Sequence, residues 1–134
     1  MSQENVEIVR RFLLWSNEQD LDAALSYVAP DAELDWSLSE APDAAVYRGR
    51  EEWRKWLTGR LEGLTDVRFD VAEFIDVSMD TVVAVVHMRG RGRASGVEIA
   101  ALGASVFTLR DGQLSGLTLY QTRDQALKAV GLEE

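Results

Sequence analysis

The spacing of apolar residues changes in the middle of this chain, and that change constrains the fold more than any other feature of the sequence. In NVEIVRRFLLWS, near the amino terminus, Val6, Val9 and Leu13 recur at intervals of three and four, which is the spacing of an amphipathic helix. After residue 65, apolar residues fall mainly at every second position, as they do in strands. The sequence therefore predicts helices first and a sheet second, as in an α+β fold.

Three further helices are expected from capping and stop signals. Asp20 is a good N-cap and Pro30 a stop signal, which predicts a helix over residues 21–28. The stretch GREEWRKWLTGRLEGL has glutamates in its first turn, which the helix dipole favours, and predicts a third helix. A short last helix is expected over residues 124–130.

The carboxyl-terminal half predicts an antiparallel meander. Asp111 and Gly112 are the signal of a tight two-residue hairpin, and residues 78–80 and 94–96 are plausible turns. Four strands follow from these turns: VRFDVAEFIDV, TVVAVVHMRGRGR, VEIAALGASVFTLR and QLSGLTLYQ. Helices that cover one face of such a sheet leave a concave side open for a ligand.

Composition excludes several classes of function. The chain has 134 residues, 46% of them hydrophobic, so we expect a single domain over residues 1–134 with a substantial core. A net charge of -9 opposes nucleic acid and anionic membranes as partners. No secretory signal or membrane-spanning run is visible, which predicts a cytoplasmic protein.

Metal and cofactor sites are not expected either. The chain has no cysteine, which excludes disulfides and thiolate ligands, and its single histidine belongs to no metal-binding pattern. The glycines of RGRGR do not complete a dinucleotide-binding fingerprint and do not open a helix. We therefore predict no cofactor.

The chain resembles the SnoaL-like branch of the nuclear transport factor 2-like superfamily. Four stretches carry the resemblance: NEQDLDAAL, YRGREE, FTLRDGQL and DQALKAVGL. The resemblance implies a cone-shaped, curved antiparallel β-sheet that N-terminal helices wrap around an apolar pocket, usually in a homodimer. It does not imply a reaction, because the superfamily includes isomerases, cyclases, dehydratases, epoxide hydrolases and non-catalytic binders.

One mechanism of the superfamily is not expected here. Ketosteroid isomerases use a general-base aspartate, with a tyrosine and a protonated aspartate as oxyanion donors. The resemblance places these three groups at Trp36, Phe12 and Ser105, none of which has the required chemistry. Strand alternation pairs Trp36 with Leu34 on the apolar side, so Asp35 is expected to face outwards.

His87 and Glu73 are the candidate catalytic residues. His87 alternates with Val83 and Val85, which predicts an interior position, and histidine titrates near neutral pH as an acid or base requires. A purely structural role is the alternative. Glu73 falls on the apolar side of its strand, where burial would raise its pKa, but Phe74 breaks the alternation and a bulge there would turn Glu73 outwards.

Six residues are expected to bind the ligand: Phe12, Trp15, Trp36, Ser105, Phe107 and Gln121. Apolar walls with a few polar groups are typical of small-molecule pockets. Gln121 continues the alternation of Leu117 and Leu119, and either a ligand or the neighbouring backbone could accept its hydrogen bond. For the aromatic residues, simple core packing is the alternative, above all for Trp53 and Trp56.

Two functions remain open on the sequence alone. One is an enzyme that performs cofactor-free proton transfer, such as cyclisation, isomerisation or dehydration of an apolar carbonyl compound, with His87 as acid or base. The other is a non-catalytic binding protein for a hydrophobic metabolite. Because the strands carry apolar residues on both faces, as in VVAVV, we expect a second copy of the chain to cover the outer face in a homodimer.

Overall fold

The computed structural model describes residues 2–39 and 43–132 and has the predicted α+β architecture. The helices are α1 (Ser2–Asn17), α2 (Leu21–Leu25), α3 (Gly49–Glu62) and α4 (Arg123–Ala129). The strands are β1 (Val28–Asp35), β2 (Val46–Arg48), β3 (Leu64–Ser78), β4 (Thr81–Gly92), β5 (Glu98–Arg110) and β6 (Gln113–Tyr120). None of the described helices is long and apolar enough to cross a membrane.

The strands form one curved, unclosed sheet in the order β2-β1-β6-β5-β4-β3. Strands β3 to β6 make the predicted antiparallel meander. The pairing of β1 with β6 is parallel, so the sheet is not wholly antiparallel as the resemblance implied. This pairing brings the segment after α2 beside the last strand, which places Trp36 over the concave side of the sheet.

The two faces of the sheet are covered by different helices. On the inner face, Val9 and Phe12 of α1 and Trp53 of α3 form a core with Val82 and Phe107. On the outer face, a smaller cluster joins β4 and β5 to α4; its buried members are Val83, Ala104, Val106 and Ala126. The strands in the middle of the sheet are therefore apolar on both sides.

The second helix is shorter than predicted. It ends at Leu25, and Val28 already begins β1, so the helix predicted over residues 21–28 is three residues too long. The backbone of Tyr27 explains the early end, because its carbonyl accepts a hydrogen bond of 2.7 Å from the backbone N–H of Leu114 on β6. Pro30 lies inside β1, and the short strand β2 was not predicted.

The predicted hairpins are present. Asp111 and Gly112 have φ angles of 53° and 77°, the left-handed values that a tight primed turn between β5 and β6 requires. Between β3 and β4, the Asp80 carboxylate accepts hydrogen bonds from the hydroxyls of Ser78 at 2.8 Å and Thr81 at 3.0 Å. Both turns fix the register of the strands that form the inner face.

Candidate functional site

An apolar cavity of about 250 Å³ lies between the inner face of the sheet and helices α1 and α3. Rows of paired side chains from β3 to β6 form its floor, and they run from Phe107, deep in the core, to Ala101 at the mouth. The lining residues are Phe12, Leu13, Ser16, Trp36, Trp56, Leu57, Phe69, Val86, Met88, Ala101, Leu102, Gly103, Ala104, Ser105, Phe107, Leu117, Leu119, Tyr120 and Gln121.

Two pairs of aromatic rings shape the walls. Phe12 of α1 meets Phe107 of β5 edge to face, with ring centroids 6.0 Å apart and planes at 70°. Trp36 meets Trp56 of α3 in the same way, at 5.5 Å and 70°. Edge-to-face contacts of this kind stabilise a packed arrangement of rings. The walls are therefore built mainly from rigid aromatic side chains.

Few polar side chains reach the cavity. The hydroxyl of Ser16 donates a hydrogen bond of 2.8 Å to the carbonyl of Phe12, so its proton is already engaged within α1. Ser105 is only 6% exposed and lies on β5 between Ala84 and Leu119 of the neighbouring strands. Gln121 is exposed at the end of β6. No aspartate, glutamate, lysine, arginine or histidine belongs to the lining, as far as the described residues show.

Most of the residues expected to bind a ligand border this cavity. Phe12, Trp36, Ser105, Phe107 and Gln121 all belong to its lining, while Asp35 accepts a hydrogen bond of 2.9 Å from the backbone of Ser37 instead. The three positions at which the resemblance sets the ketosteroid isomerase groups thus share one cavity. The arrangement supplies shape and aromatic surface, and its described lining residues include no carboxylate base.

Trp15 lies outside that lining. It is half-buried on α1 and packs against the main core cluster. Helix geometry accounts for the difference, because Ser16 and Leu13 lie about 40° and about 100° to one side of Phe12 around the helix axis, towards the cavity, whereas Trp15 lies about 60° to the other side. Trp15 is therefore a packing residue in this structure.

The expected interior position of His87 is wrong. Along β4, Val82, Ala84 and Val86 contact the main core, and His87 points to the opposite face with Val83. There it lies across from Asp70 and Leu102, and its Nδ1 atom is 3.5 Å from Nη2 of Arg89. Because helix α4 covers the outer face of the sheet, that face is apolar as well. The alternation of His87 with Val83 therefore did not show which face borders the cavity.

Glu73 also lies away from the cavity. The pairing of β3 with β4 shifts between Val71 and Glu73, which is the bulge that the alternative interpretation required. The exposed Glu73 carboxylate forms a bidentate ion pair with Arg123 of α4, at 2.9 Å from Nε and 3.3 Å from Nη2. This pair ties α4 to the sheet, and Glu73 has a structural contact in place of a position at the cavity.

Several lining residues were not named from the sequence. Phe69, Met88 and Ala101 form one cross-strand row at the mouth, and Gly103 follows Ala101 on the same face of β5. The signal that could have found them is the run of small residues at alternate positions of β5, where Ala101, Gly103 and Ser105 leave space that larger side chains would fill.

A contact that supports the cavity wall was missed as well. The indole N–H of Trp36 donates a hydrogen bond of 3.0 Å to the Oδ1 atom of Asp43, which is half-buried and does not line the cavity. Nothing in the sequence pattern marks this pair, because Trp36 and Asp43 are seven positions apart and neither of them belongs to a helix or strand. No group of three or more metal-ligating side chains occurs among residues 2–39 and 43–132.

Known proteins share this fold at low sequence identity. A nuclear transport factor 2-like protein from Burkholderia xenovorans superposes with a TM-score of 0.74 at 24% identity, over 90% of each chain. A Mycobacterium tuberculosis protein solved in complex with estradiol-17beta-hemisuccinate gives 0.77 at 13% identity, over 90% of this chain and 95% of that one.

A third structure comes from Catenulispora acidiphila and has a ketosteroid isomerase-like fold in complex with trimethylamine. It gives a TM-score of 0.75 at 17% identity, over 94% of this chain and 93% of that one. No curated protein matches the chain. The sequence profile of the SnoaL-like domain matches residues 9–116, as the resemblance predicted, and the chain therefore belongs to the SnoaL-like domain family.

Proposed function

We propose that this protein binds a small, uncharged and largely apolar organic molecule in the cavity between the sheet and helices α1 and α3. The observation that carries the proposal is the lining: it is mainly aromatic and aliphatic, its residues with polar side chains include Ser16, Ser105, Tyr120 and Gln121, and none of its described residues is ionised. A charged ligand would lose its hydration there without gaining a counter-charge, which is strongly unfavourable.

The volume of the cavity limits the size of the ligand that can bind. Pockets for drug-sized molecules usually measure roughly 300–1,000 Å³. A cavity of about 250 Å³ suits a smaller molecule, of one or two rings. Ser105 lies inside it and can exchange one hydrogen bond with a carbonyl or hydroxyl group. An aromatic or alicyclic ketone is the simplest molecule with these properties.

Binding without catalysis is favoured over proton-transfer chemistry. The enzymatic hypothesis assigned the acid or base to His87 or Glu73, and both side chains lie on the outer face of the sheet. Catalysis by either would require contact with the substrate within hydrogen-bond distance. The complexes of the Mycobacterium and Catenulispora proteins support binding only in general, as examples of this fold holding small organic molecules.

We also propose that two copies of the chain associate. Residues 98–102 of β5 are exposed although they belong to an inner strand; on its inner face Ile99 is 39% exposed, and on its outer face Leu102 is 61% exposed. Apolar surface of this kind on a folded domain is typical of a contact between proteins. A second copy is the proposed partner because closed two-fold dimers are the commonest assembly of soluble chains.

The binding proposal can be tested with three ligands that share one ring system. Calorimetry should show binding of acetylnaphthalene, a neutral ketone, and at least about tenfold weaker binding of naphthoate and of naphthylmethylammonium, because each of these ions would be buried unpaired. Tighter binding of either ion than of the ketone would contradict the proposed ligand class. Absence of binding by all three would contradict a cavity of this specificity.

A matched pair of substitutions locates the site. Ala101 lies at the mouth on the inner face, and Ala100, its neighbour in β5, lies on the outer face opposite Arg89; both are exposed. Ala101→Phe should fill the mouth and weaken binding of acetylnaphthalene by about tenfold or more, whereas Ala100→Phe should leave it within about twofold. Equal effects of the two variants would show that the ligand binds elsewhere.

A further inference from the structure

We propose that Asp43 is a positioning residue, whose carboxylate holds the Trp36 indole in the wall of the cavity and so sets the affinity for the ligand. The part that concerns affinity rests on the proposed function. The part that concerns the orientation of Trp36 stands on the contacts of the free protein. Asp43 does not line the cavity, and its carboxylate contacts Trp36, which does.

The first step is the way in which Trp36 is held. Trp36 follows the last residue of β1, so no strand ladder encloses it. Its backbone N–H donates a hydrogen bond of 2.9 Å to the carbonyl of Ala45, and its indole N–H donates one of 3.0 Å to Oδ1 of Asp43. The bond to Ala45 fixes the backbone of Trp36, and the bond to Asp43 fixes the far end of its indole ring. Together they restrain the orientation of the indole plane.

The second step is the anchoring of Asp43 itself. The hydroxyl of Tyr47 on β2 donates a hydrogen bond of 2.6 Å to the carbonyl of Asp43. Tyr47 pairs with the fully buried Leu34 of β1 and packs against the main core. Asp43 is therefore attached to the sheet through Tyr47, and it holds the indole from a fixed position.

The third step connects the indole to the cavity. The Trp36 ring meets the Trp56 ring edge to face at 5.5 Å, and both rings line the cavity. Trp36 is only half-buried, in contrast to the fully buried Trp53. Packing alone therefore restrains Trp36 less than it restrains the core rings. A turn of its indole would change the shape of the wall, and the bond to Asp43 opposes that turn.

The orientation can be tested without any ligand. Acrylamide quenching of tryptophan emission should increase in Asp43→Ala, because the released indole becomes accessible, and should stay near the wild-type value in Asp43→Asn, which keeps an acceptor oxygen. In a Trp36→Phe background, Asp43→Ala should cause no further increase. An unchanged quenching constant in Asp43→Ala, or the same increase in the Trp36→Phe background, would overturn the inference.

The same four variants test the effect on affinity. For acetylnaphthalene, Asp43→Ala should raise Kd about fivefold, as for the loss of one hydrogen bond, and Asp43→Asn should raise it less than twofold. In the Trp36→Phe background, Asp43→Ala should leave Kd unchanged, since phenylalanine has no N–H to hold. An equal fivefold loss in both backgrounds would show that Asp43 supports the fold generally and would overturn the positioning role.

The two proposals fail in different ways. If the wild-type protein binds no ketone, the proposed function is contradicted, while the quenching comparison still decides whether Asp43 holds Trp36. If the ketone binds and quenching does not respond to Asp43→Ala, only the positioning role is contradicted. Tyr47→Phe tests the contact between Asp43 and Trp36 in a second way, because it removes the hydroxyl that anchors Asp43 and retains the aromatic ring. Like Asp43→Ala, it should increase the acrylamide quenching of tryptophan emission.

Discussion

In the proposed ligand site, Ser105 is the buried polar residue that would set how polar a ligand can be. It lies on β5 between Ala84 and Leu119, in the middle of the inner face, where the strand is buried. Its neighbours in that row offer only apolar surface. A serine hydroxyl can donate one hydrogen bond and accept others, so a single carbonyl or hydroxyl of the ligand can be satisfied there.

This role of Ser105 predicts selectivity between two ligands. Ser105→Ala should weaken binding of acetylnaphthalene by about 1 kcal/mol, the usual net contribution of one hydrogen bond. It should leave binding of ethylnaphthalene unchanged or slightly stronger, because that hydrocarbon has no polar group to satisfy. Titration calorimetry on the two compounds makes the comparison. Parallel losses for both would mean that the variant alters the shape of the cavity.

At the scale of single elements, β4 shows where sequence reasoning succeeds and where it fails. The alternation in the carboxyl-terminal half correctly predicted the meander, and the break at Phe74 correctly indicated a bulge. In β4, however, residues 82–86 are all buried, because helices cover both faces of the sheet. Alternation then still separates two faces but cannot tell which one borders the cavity, and His87 was assigned to the wrong one.

Contacts between elements were harder still to predict. Asn17 at the end of α1 bonds the backbone of Phe69 on β3 twice, through Nδ2 to the carbonyl at 2.8 Å and through Oδ1 from the N–H at 2.6 Å. The two residues are 52 positions apart, and no local pattern relates them. The pair of Trp36 and Asp43 was missed for a similar reason, since irregular segments carry no periodicity.

The turn between β3 and β4 makes a prediction about pH. Hydrogen bonds from Ser78 and then Thr81 hold the pKa of the Asp80 carboxyl below its ordinary value of 3.8. A carboxyl whose pKa is lower in the folded state stabilises the fold above its unfolded pKa, and this contribution is lost as the pH falls through the folded pKa. Asp80→Asn should therefore lower Tm at pH 7, and its effect should become smaller as the pH falls below the ordinary carboxyl pKa of 3.8 and wild-type Asp80 is protonated.

Thermal unfolding of both proteins across this range checks the prediction. Thr81→Val is a suitable companion variant, because it removes one of the two donors and keeps the β-branched shape. Like Asp80→Asn, this variant should reduce the difference between the Tm at neutral pH and the Tm at acidic pH. A loss of Tm in Asp80→Asn that is constant with pH would show that the carboxylate charge does not contribute.

At the scale of the whole molecule, the sheet extends beyond its covering helices. Strand β6 ends at Tyr120, opposite Ala104, whereas β5 continues back to Glu98, paired among the described strands with β4 alone. This projecting half of β5 is also where the cavity opens, since Ala101 and Leu102 border the mouth. The apolar surface that α4 does not cover is therefore concentrated beside the cavity entrance, and the proposed dimer contact would adjoin the ligand site.

Two exposed leucines allow the dimer to be tested against a matched control. Leu102 on the projecting part of β5 is 61% exposed, and Leu14 on α1 is 50% exposed. Leu102→Lys should weaken the dimer by about tenfold in Kd, because a charge would be buried in the contact, while Leu14→Lys should leave it unchanged. Since each copy has a net charge of -9, association of the wild-type chain should strengthen as salt screens the repulsion. Sedimentation velocity without ligand measures the association of the wild-type chain and of both variants. A wild-type chain that stays monomeric at high salt and at a concentration of tens of micromolar would contradict the proposed dimer.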